Sequence, residues 1–327
     1  MDVLAIGDTV VDTFVRLKDA EVHCDVNREH CTISMRFGDK IPFESATVVP
    51  AVGNAANAAV ATARLGLSSA LLSWLGKDRS GEDCLTALKK EKVDTSLVTT
   101  VGGKMTNSHY VLWYGAERTI LIKHEAFDCA LPSPLPVPRA VYLSSLSEHC
   151  AQLHDDIVDW LIEKPKMLLA FQPGTFQIAM GLKRLEKVYR RADIFFANKE
   201  EYQRILGTAE ENPKKLMELM HDKGPKTCVL TDGPKGAYSF DGMKAYHIPS
   251  YPDPKPPYER TGAGDAFAST VVAALLLGKS LPEALAWGPI NSMSVVQYIG
   301  AQRGLLSREM LEGYLAMAPK EYRATPL

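Results

Sequence analysis

The sequence of 327 residues lacks several features that mark common functional classes. Its six cysteines are widely spaced with no CxxC pair, which argues against a zinc site and predicts reduced thiols. Lysine and arginine are scattered and the formal net charge is −2, so we expect no nucleic-acid partner. No GxxxxGK[ST] run occurs, and no GxGxxG run follows the first predicted strand. Their absence excludes a P-loop enzyme and weakens a dinucleotide-binding interpretation.

Long apolar runs are also missing. The longest, residues 271–277, is far too short to span a bilayer, so no membrane association is expected. Residues 1–8 have neither the basic nor the apolar segment of a secretory signal peptide, which predicts a cytosolic location. Glycine and proline are dispersed, without a low-complexity linker or an internal repeat. We therefore predict a single domain over residues 1–327 with a large core.

What the sequence does contain is a regular alternation of short β-rich apolar runs with helical patterns. Strands are predicted at residues 3–6, 70–74, 140–143, 167–171, 194–197 and 228–231. Helices are predicted at residues 54–65, 81–91, 151–163, 181–190, 199–206, 213–222, 263–277, 282–298 and 307–316. This order predicts an α/β fold, with a mostly parallel central sheet covered by helices on both faces.

Two stretches, 9–49 and 106–123, are rich in β-forming residues and lack a helical period. Segments 31–37 and 110–114 are predicted to be strands of a second, smaller sheet. Such a sheet would form a lid over the carboxyl edge of the parallel strands, where ligands bind in these folds. The alternative is antiparallel decoration without a catalytic role. Ile33 and Phe37 could instead pair with a second chain, because a small sheet rarely stabilises itself.

The most informative run is RTGAGDAF, which lies between a proline-rich loop and a long apolar segment predicted to be a buried helix. Gly262, Ala263 and Gly264 would place unpaired backbone N–H groups at the helix N-terminus, where an anion can approach closely. Asp265 follows in the first turn, and a carboxylate base beside an anion site suits phosphoryl transfer to an alcohol. The alternative is a plain helix cap, with Asp265 placed favourably on the helix dipole.

The segment TGAGD resembles the carboxyl-terminal signature, DTxGAGD, of the ribokinase or PfkB family of carbohydrate and nucleoside kinases. The resemblance covers essentially the whole chain and implies a ribokinase-like three-layer α/β/α fold with a β lid. It implies that the backbone of Gly262, Ala263 and Gly264 forms an anion hole and that Asp265 accepts the proton of the substrate hydroxyl. Glu259 replaces an aspartate that helps to hold a monovalent cation in some members, so it is a candidate potassium ligand.

The amino-terminal motifs resemble the sugar-binding elements of the family. The run VGNAAN resembles the element GGxxxN, and this implies that Gly53 and Asn57 contact a sugar. The first glycine of the element, part of a lid hinge in relatives, is Val52 here. Asp12 aligns with the carboxylate that binds two sugar hydroxyls, and Asp8 is the competing candidate. Without the resemblance, Asn57 would be a polar surface residue and Asp8 a turn residue.

The second half of the chain resembles the nucleotide-binding elements. Asn198 and Glu201 match an NxxE element, which implies that Glu201 holds magnesium through water and that Asn198 lies near the phosphates. Taken alone, this spacing is a capping box. Thr231, Gly233 and Gly236 match a TxGxxG turn that contacts ATP. Asn291, in the predicted helix 282–298, occupies a nucleotide-contact position of the family.

The substrate is the least determined part of the prediction. The segments Asn107-Ser108-His109 and Glu117-Arg118-Thr119 are expected to face it, as in relatives. Arg118 could bind the phosphate of a sugar phosphate, or it could be a solvated arginine in a hairpin turn. The leading prediction is an ATP- and magnesium-dependent kinase for a small sugar, ribokinase- or fructokinase-like, with a homodimer through the lid as a further expectation. The alternatives are a nucleoside (adenosine-like) kinase, a sugar-phosphate kinase, or a non-catalytic protein that binds a sugar or nucleotide.

Overall fold

In the computed structural model, which describes residues 1–24, 31–114 and 117–327, strands and helices alternate along most of the chain. In chain order, the strands are β1 (Val3–Ile6), β2 (Val10–Leu17), β3 (Glu21–Cys24), β4 (Cys31–Ser34), β5 (Phe43–Val52), β6 (Ser69–Gly76), β7 (Val98–Val101), β8 (Asn107–Tyr114), β9 (Glu117–Lys123), β10 (Ala140–Leu143), β11 (Leu168–Phe171), β12 (Ile194–Asn198), β13 (Thr227–Thr231), β14 (Ala237–Phe240), β15 (Ala245–Ile248) and β16 (Thr325–Pro326). The helices are α1 (Asn54–Arg64), α2 (Arg79–Lys90), α3 (Ala151–Ile162), α4 (Thr175–Arg184), α5 (Glu186–Arg191), α6 (Lys199–Leu206), α7 (Pro213–His221), α8 (Ala263–Leu276), α9 (Leu281–Val295) and α10 (Arg308–Ala316).

The predicted central sheet is confirmed. It is ten-stranded, in the order β16-β15-β14-β13-β12-β11-β10-β1-β6-β7. All neighbours from β13 to β7 are parallel, and β14, β15 and β16 add antiparallel pairs at one edge. Because connections between parallel strands pass over the faces of a sheet, the carboxyl ends of these strands meet along a single edge.

The sheet separates two hydrophobic cores, which gives the three-layer arrangement. Alternate residues of a strand point to opposite faces, and the central strand β1 is apolar on both. Val3 and Ala5 pack with α1, α2, α8, α9 and α10 on one face, while Leu4 and Ile6 pack with α3 to α7 on the other. The predicted α/β architecture with helices on both faces is therefore correct.

Element boundaries show where sequence patterns were insufficient. The edge strands β7 and β16 and the antiparallel strands β14 and β15 were not predicted, because all four are short and none is apolar on both faces. The predicted helix 181–190 is two elements, α4 and α5. Gly181 has non-helical angles (φ 79°, ψ 166°) inside α4, which only a glycine adopts readily.

A second sheet of four strands, in the order β5-β2-β8-β9, is formed by the two stretches predicted to lie outside the α/β alternation. We call it the small sheet. The predicted strand 31–37 is not part of it: β4 pairs only with β3, in a separate two-stranded hairpin. Ile33 lies in that hairpin, and Phe37 follows it, with its side chain fully exposed at 106%.

The prediction of reduced cysteines is wrong for four of the six. The structure contains the disulfides Cys24–Cys31 and Cys129–Cys150, while Cys84 and Cys228 are free and buried. Cys24 and Cys31 lie directly opposite each other in the β3–β4 register, which linear spacing does not reveal. The cytosolic location remains a prediction. No helix in the described ranges is long and apolar enough to cross a membrane.

Candidate active site

Polar side chains collect where the parallel strands end. Asp8 follows β1, Gln172 follows β11, and Asn198 and Thr231 end β12 and β13. The N-terminus of α8, with Asp265 in its first turn, faces the same edge. The topology therefore brings residues from distant parts of the chain into one site.

Asp265 is the centre of this site. Its side chain is buried (9% exposed) and both oxygens are held by amides. Asn57 Nδ2 donates to Oδ2 at 2.7 Å, and Gln172 Nε2 donates to Oδ1 at 2.9 Å. Burial raises the pKa of Asp265, the two hydrogen bonds oppose that rise, and the negative charge of Asp12 adds to it. The result is an oriented carboxylate that is more basic than an ordinary aspartate.

Small residues on α1 bring Asn57 to Asp265. Ala55, Ala56 and Ala59 have no exposed surface, so α1 packs closely between the sheet and α8. Asn57 Oδ1 in turn accepts a hydrogen bond from Gln302 Nε2 at 3.0 Å. The predicted sugar-binding asparagine is thus placed in the site, with its amide oriented by one neighbour and directed at the carboxylate.

Gln172 was not identified from the sequence. Its Oε1 accepts a hydrogen bond from the buried hydroxyl of Tyr142, and its backbone carbonyl accepts one from Ser144 Oγ at 2.9 Å. Burial raises the pKa of Tyr142 well above its ordinary value, so this phenol stays a donor. A signal was available: Gln172 is the first polar residue after a buried strand whose carboxyl end lies at the ligand-binding edge.

Gly262 and Gly264, which precede Asp265, differ in backbone conformation and in the space around them. Gly262 is the N-cap of α8 in the left-handed conformation (φ 80°), and a Cβ there would lie 2.2 Å from Ala301 Cβ. Gly264 has no positive φ, and the atom nearest to a Cβ added there would be Gln172 Nε2, at 3.9 Å. The first-turn N–H groups of a helix have no acceptor within it, so this turn can bind an anion.

A cleft of about 480 Å³ adjoins the N-terminus of α8, a volume within the usual range for small-molecule sites. Thr231, Gly233 and Gly236 line it, as predicted for the nucleotide turn. Its other lining residues are Pro234, Ala237, Ser250, Tyr251, Pro252, Asp253, Pro257, Arg260, Ala263, Gly264, Phe267, Pro289, Ser292, Met293 and Val296.

Asn291 does not reach this cleft, so its prediction as a nucleotide contact is not supported. The residue is fully buried, its Nδ2 donates to Thr270 Oγ1 at 2.7 Å, and its Oδ1 accepts the Leu306 N–H at 2.9 Å. Its amide joins α9 to α8 and to the following loop. The residues of α9 that do line the cleft include Ser292 and Met293.

Asn198 and Glu201 form the capping box of α6. Asn198 Oδ1 accepts the Glu201 N–H at 2.8 Å, and Glu201 Oε2 accepts the Asn198 N–H at 2.9 Å. Burial raises the pKa of Glu201, the Asn198 N–H and Arg204 lower it, and the charge of Asp265 raises it further. Glu201 is therefore both a helix cap and a carboxylate within electrostatic reach of Asp265.

Asp12, whose negative charge acts on Asp265, lies in β2 of the small sheet. It is 7% exposed, and its Oδ1 accepts no hydrogen bond from the residues that the structure describes. Asp8, the competing candidate, is instead hydrogen-bonded through Oδ2 to His124 Nδ1 at 3.1 Å. His109 Nδ1 lies 3.2 Å from Asp12 Oδ1 but without hydrogen-bond geometry, so this oxygen can still accept a hydrogen bond from a ligand, which favours Asp12 over Asp8.

The junction between the small sheet and α1 has unusual backbone angles. Gly53, the N-cap of α1, has φ 110°, and Ala51 has φ 59°. A Cβ at residue 53 would lie 2.6 Å from the backbone oxygen of Asp8, so a glycine is required there. Val52 has no positive φ; it ends β5 in register with Val10 and is buried. The replacement of a glycine by Val52 is therefore compatible with this backbone.

Arg118 and Glu259 form an ion pair between β9 and the loop before α8. Arg118 Nη1 lies 3.7 Å from Glu259 Oε1, which also accepts the Thr261 N–H at 2.8 Å. Glu259 Oε2 is buried and has no hydrogen-bond partner within the described ranges. Arg118 is thus neither a solvated turn residue nor a free cation. The side chain of Glu117, also expected to face the substrate, lies outside the described residues.

Comparisons with solved structures establish the fold. The structure of a nucleoside kinase from Methanocaldococcus jannaschii superposes with a TM-score of 0.79 at 19% identity, covering 97% of this chain and 98% of that one. The structure of Arabidopsis thaliana ribokinase complexed with ribose and ATP gives a TM-score of 0.78 at 20% identity, covering 96% and 98%. The predicted ribokinase-like fold is confirmed.

Sequence comparisons establish the family. Ribokinase from Haemophilus influenzae is 25% identical over 265 residues, which covers 79% of this chain and 84% of that ribokinase. A family model described as "pfkB family carbohydrate kinase" matches residues 25–308. With Asp265 held at the N-terminus of α8 beside a nucleotide-sized cleft, the chain belongs to the pfkB family of carbohydrate kinases and is a phosphotransferase.

Proposed function

We propose that this phosphotransferase moves the terminal phosphoryl group of ATP to a hydroxyl of a small sugar. The observation that carries the proposal is the position of Asp265. Its carboxylate is fixed by Asn57 and Gln172, it directly follows Gly264, which lines the cleft, and the negative charge of Asp12 acts on it. A base next to both a nucleotide-sized cleft and a buried acceptor for hydroxyls fits transfer between two bound substrates.

In the proposed mechanism, Asp12 accepts hydrogen bonds from the sugar hydroxyls, and the backbone near Gly53 limits the space available to the sugar. Asp265 accepts the proton of the attacking hydroxyl while the hydroxyl oxygen bonds to the γ-phosphorus of ATP. The bond between that phosphorus and the bridging oxygen of ADP breaks, and ADP leaves. The N–H groups at the start of α8 stabilise the charge on the transferred phosphoryl group. Thr231, Gly233 and Gly236 hold the nucleotide in the cleft. Orientation and charge stabilisation supply most of the catalysis in such reactions.

A magnesium ion fits the donor set beside Asp265. Glu201 supplies a partly buried carboxylate with one oxygen used by the helix cap, and magnesium prefers oxygen ligands while retaining several waters. When bound with ATP, the ion neutralises phosphate charge. Glu201 would hold it through water, and Asn198 would fix the orientation of Glu201.

The Glu201→Gln variant tests this assignment. The amide retains an oxygen for the Asn198 N–H but loses the negative charge, so the magnesium concentration for half-maximal activity should rise about tenfold. The measurement is activity against magnesium concentration at constant ATP. Glu309→Gln, at an exposed position in the first turn of α10, is the matched control. An unchanged magnesium requirement in Glu201→Gln would contradict the role.

A sugar without a phosphate is the substrate that the site favours. The phosphate of a sugar phosphate would need a free cation, and Arg118 is already paired with Glu259. The negative charge of Asp12 also acts on the buried Asp265, and these two neighbouring acids disfavour a further anion beside them. A nucleoside remains the second candidate, because a structural neighbour is a nucleoside kinase.

The test is release of ADP from ATP with D-ribose, D-fructose, D-fructose 6-phosphate, adenosine and cytidine. We expect turnover with a free sugar and a kcat/KM at least about tenfold lower with the sugar phosphate, the effect of one unfavourable charge contact. Turnover of nucleosides alone would establish the second candidate. ATP binding without turnover of any acceptor would favour a non-catalytic protein.

We propose that Arg118 replaces the monovalent cation implied by the family resemblance. Its guanidinium already supplies positive charge beside Glu259, although Glu259 Oε2 remains without a partner within the described ranges. Potassium chloride should then change wild-type activity less than about twofold relative to tetramethylammonium chloride at equal ionic strength.

The Arg118→Ala variant should lose about tenfold in kcat and regain part of it in potassium, because Glu259 is left without a counter-charge. Activity is measured in both salts. The control is Arg308→Ala, which removes an exposed cation on α10. Equal activity of Arg118→Ala in the two salts would show that Arg118 does not replace a cation.

We also propose that the small sheet is a lid and that its outer face pairs with a second copy of the chain. Val48, Tyr110 and Leu121 lie on the face opposite Asp12, and they are 62%, 52% and 53% exposed. Sedimentation should show a dimer that Leu121→Lys dissociates. Ile162→Lys, at an exposed apolar position on α3, should leave it intact. A monomeric wild type would rule out this pairing.

A further inference from the structure

Two histidines connect the two aspartates at the substrate side of the site. His109 lies in β8 and His124 directly follows β9. Their Nε2 atoms are 3.0 Å apart and their rings are 5.2 Å apart between centroids. His124 Nδ1 is 3.1 Å from Asp8 Oδ2, and His109 Nδ1 is 3.2 Å from Asp12 Oδ1. The order Asp8–His124–His109–Asp12 is continuous, and we call it the histidine bridge.

The histidine bridge is shielded from solvent. The side chains of His109 and His124 are 18% and 9% exposed, and those of Asp12 and Asp8 are 10% and 5% exposed. Phe176 packs its ring edge-on against His124 at 5.1 Å. Ionic contacts in such surroundings are screened much less than those at the surface. The bridge joins the small sheet, which carries Asp12, to the loop after β1, which carries Asp8.

The distances define how many protons the pair holds. An ionised carboxylate only accepts, so His124 Nδ1 carries a hydrogen toward Asp8. Two Nε2 atoms at hydrogen-bond distance need one hydrogen between them, and His109 Nδ1 faces Asp12 favourably only when it is also protonated. Three hydrogens on four ring nitrogens would satisfy every contact, with one ring an imidazole, the other an imidazolium, and one proton shared between their Nε2 atoms.

Any other proton count disrupts the bridge. A fourth hydrogen would set two N–H groups against each other at 3.0 Å. Removal of the third hydrogen would leave a nitrogen lone pair facing either a carboxylate oxygen or the lone pair of the other ring. The other charged groups nearby are Lys123 and Glu125, paired with each other at 3.2 Å beside His124, and Asp265, which interacts electrostatically with Asp12.

We infer that the histidine bridge positions Asp12 for the substrate and makes substrate affinity depend on the protonation of the pair. His109 Nδ1 lies 3.2 Å from Asp12 Oδ1 without hydrogen-bond geometry, so it orients this oxygen by charge and leaves a lone pair that can accept a hydrogen bond from a substrate hydroxyl. His109 and His124 are positioning residues, because they act through Asp12. This inference rests on the proposed function, in which Asp12 binds the sugar.

The first measurement needs no substrate. Long-range ¹H–¹⁵N spectra of the imidazole nitrogens are recorded on the full chain from about pH 5 to about pH 9, the range in which imidazoles usually titrate. In the wild type, both rings should respond to the same two titration steps, as coupled sites do. In His124→Gln, His109 should titrate in one step. An identical His109 titration with and without His124 would overturn the shared proton.

A second variant keeps both rings. Asp8→Asn removes the anion at one end, so the pair should lose its shared proton at lower pH than in the wild type. An unchanged or higher pH for that step would overturn the bridge. His149→Gln, which changes an exposed histidine outside the bridge, should leave both steps unmoved and serves as the control.

The second measurement is kinetic, with D-ribose, or with D-fructose if D-ribose is not turned over. The wild-type KM for the sugar should be lowest in the pH range in which the pair holds its shared proton. It should rise at both lower and higher pH. His109→Gln and His124→Gln should raise that KM about tenfold and flatten its pH dependence, while kcat and the KM for ATP change less than about threefold.

A sugar KM with the wild-type pH profile in these variants, or an equal rise in the KM for ATP, would overturn the positioning role. If no sugar is turned over, the proposed function fails. The imidazole spectra then still decide the shared proton, so the two failures are distinguishable.

Discussion

The Asp265→Asn variant should lose about a thousandfold in kcat, which is the usual contribution of a positioned proton acceptor. Asparagine has almost the same shape as aspartate but cannot accept the proton of the substrate hydroxyl. KM for ATP should remain within about threefold, because the cleft proposed to hold the nucleotide is lined by other residues. The measurements are kcat and KM in the ADP-release assay, with ATP affinity from calorimetry.

The same variant also tests the raised pKa. Because burial raises its pKa, Asp265 takes up a proton at a higher pH than an ordinary aspartate does. As the pH is lowered, wild-type kcat should therefore begin to fall at that higher pH. This acid limb should be absent from the residual activity of Asp265→Asn. Asp159→Asn, a half-exposed position on α3, is the control and should match the wild type. An Asp265→Asn enzyme with more than about a tenth of wild-type kcat would refute the assigned base.

The Gly262→Ala variant should be the second most damaging change, with a loss of about a hundredfold in kcat. The residue has φ 80°, and the added methyl group would lie 2.2 Å from Ala301 Cβ. Either the loop of Ala301 or the first turn of α8 must move, and movement of α8 displaces the N–H groups proposed to bind the transferred phosphoryl group. The midpoint of thermal unfolding should also fall by several degrees, about the effect of a strained backbone position.

Gly264→Ala supplies the comparison within the same motif. Gly264 has no positive φ, and an added methyl group meets its nearest neighbour at 3.9 Å, so the unfolding midpoint should change by less than about 2 °C. We expect kcat to fall by less than about tenfold, because the added methyl group would only narrow the approach of the phosphoryl group to the backbone N–H groups. Equal losses in the two variants would show that the conformation of Gly262 is not what the site requires.

Much of the fold could be predicted from the sequence because its signals are local. The apolar runs of β1 and β10 and the pattern of α6 gave correct boundaries. The antiparallel strands β14 to β16 could not be predicted, since short strands that are only partly buried or exposed have weak apolar patterns. The pairing of Cys129 with Cys150 likewise depends on how a loop and a helix approach each other.

The candidate site divides in a similar way. Asp12, Asp265 and Thr231 stand in motifs whose spacing is visible in the chain. Gln172 and His124 have no motif, because their importance comes from neighbours that are distant in sequence. Asn291 shows the opposite case: it matches a motif position, and the structure shows a buried asparagine whose amide bonds to Thr270 and Leu306, so its contact with a nucleotide stays a prediction.

The sequence by itself determined the α/β alternation, the family, and the two motifs that contain Asp12 and Asp265. Periodicity, helix-start chemistry and motif order are properties of neighbouring residues. Only the tertiary structure decided that Asn57 and Gln172 hold Asp265, that Arg118 pairs with Glu259, and that two histidines join Asp8 to Asp12. These contacts form across strands and helices that meet only when the sheet assembles, so hydrogen-bond distances between them are not encoded in any local pattern.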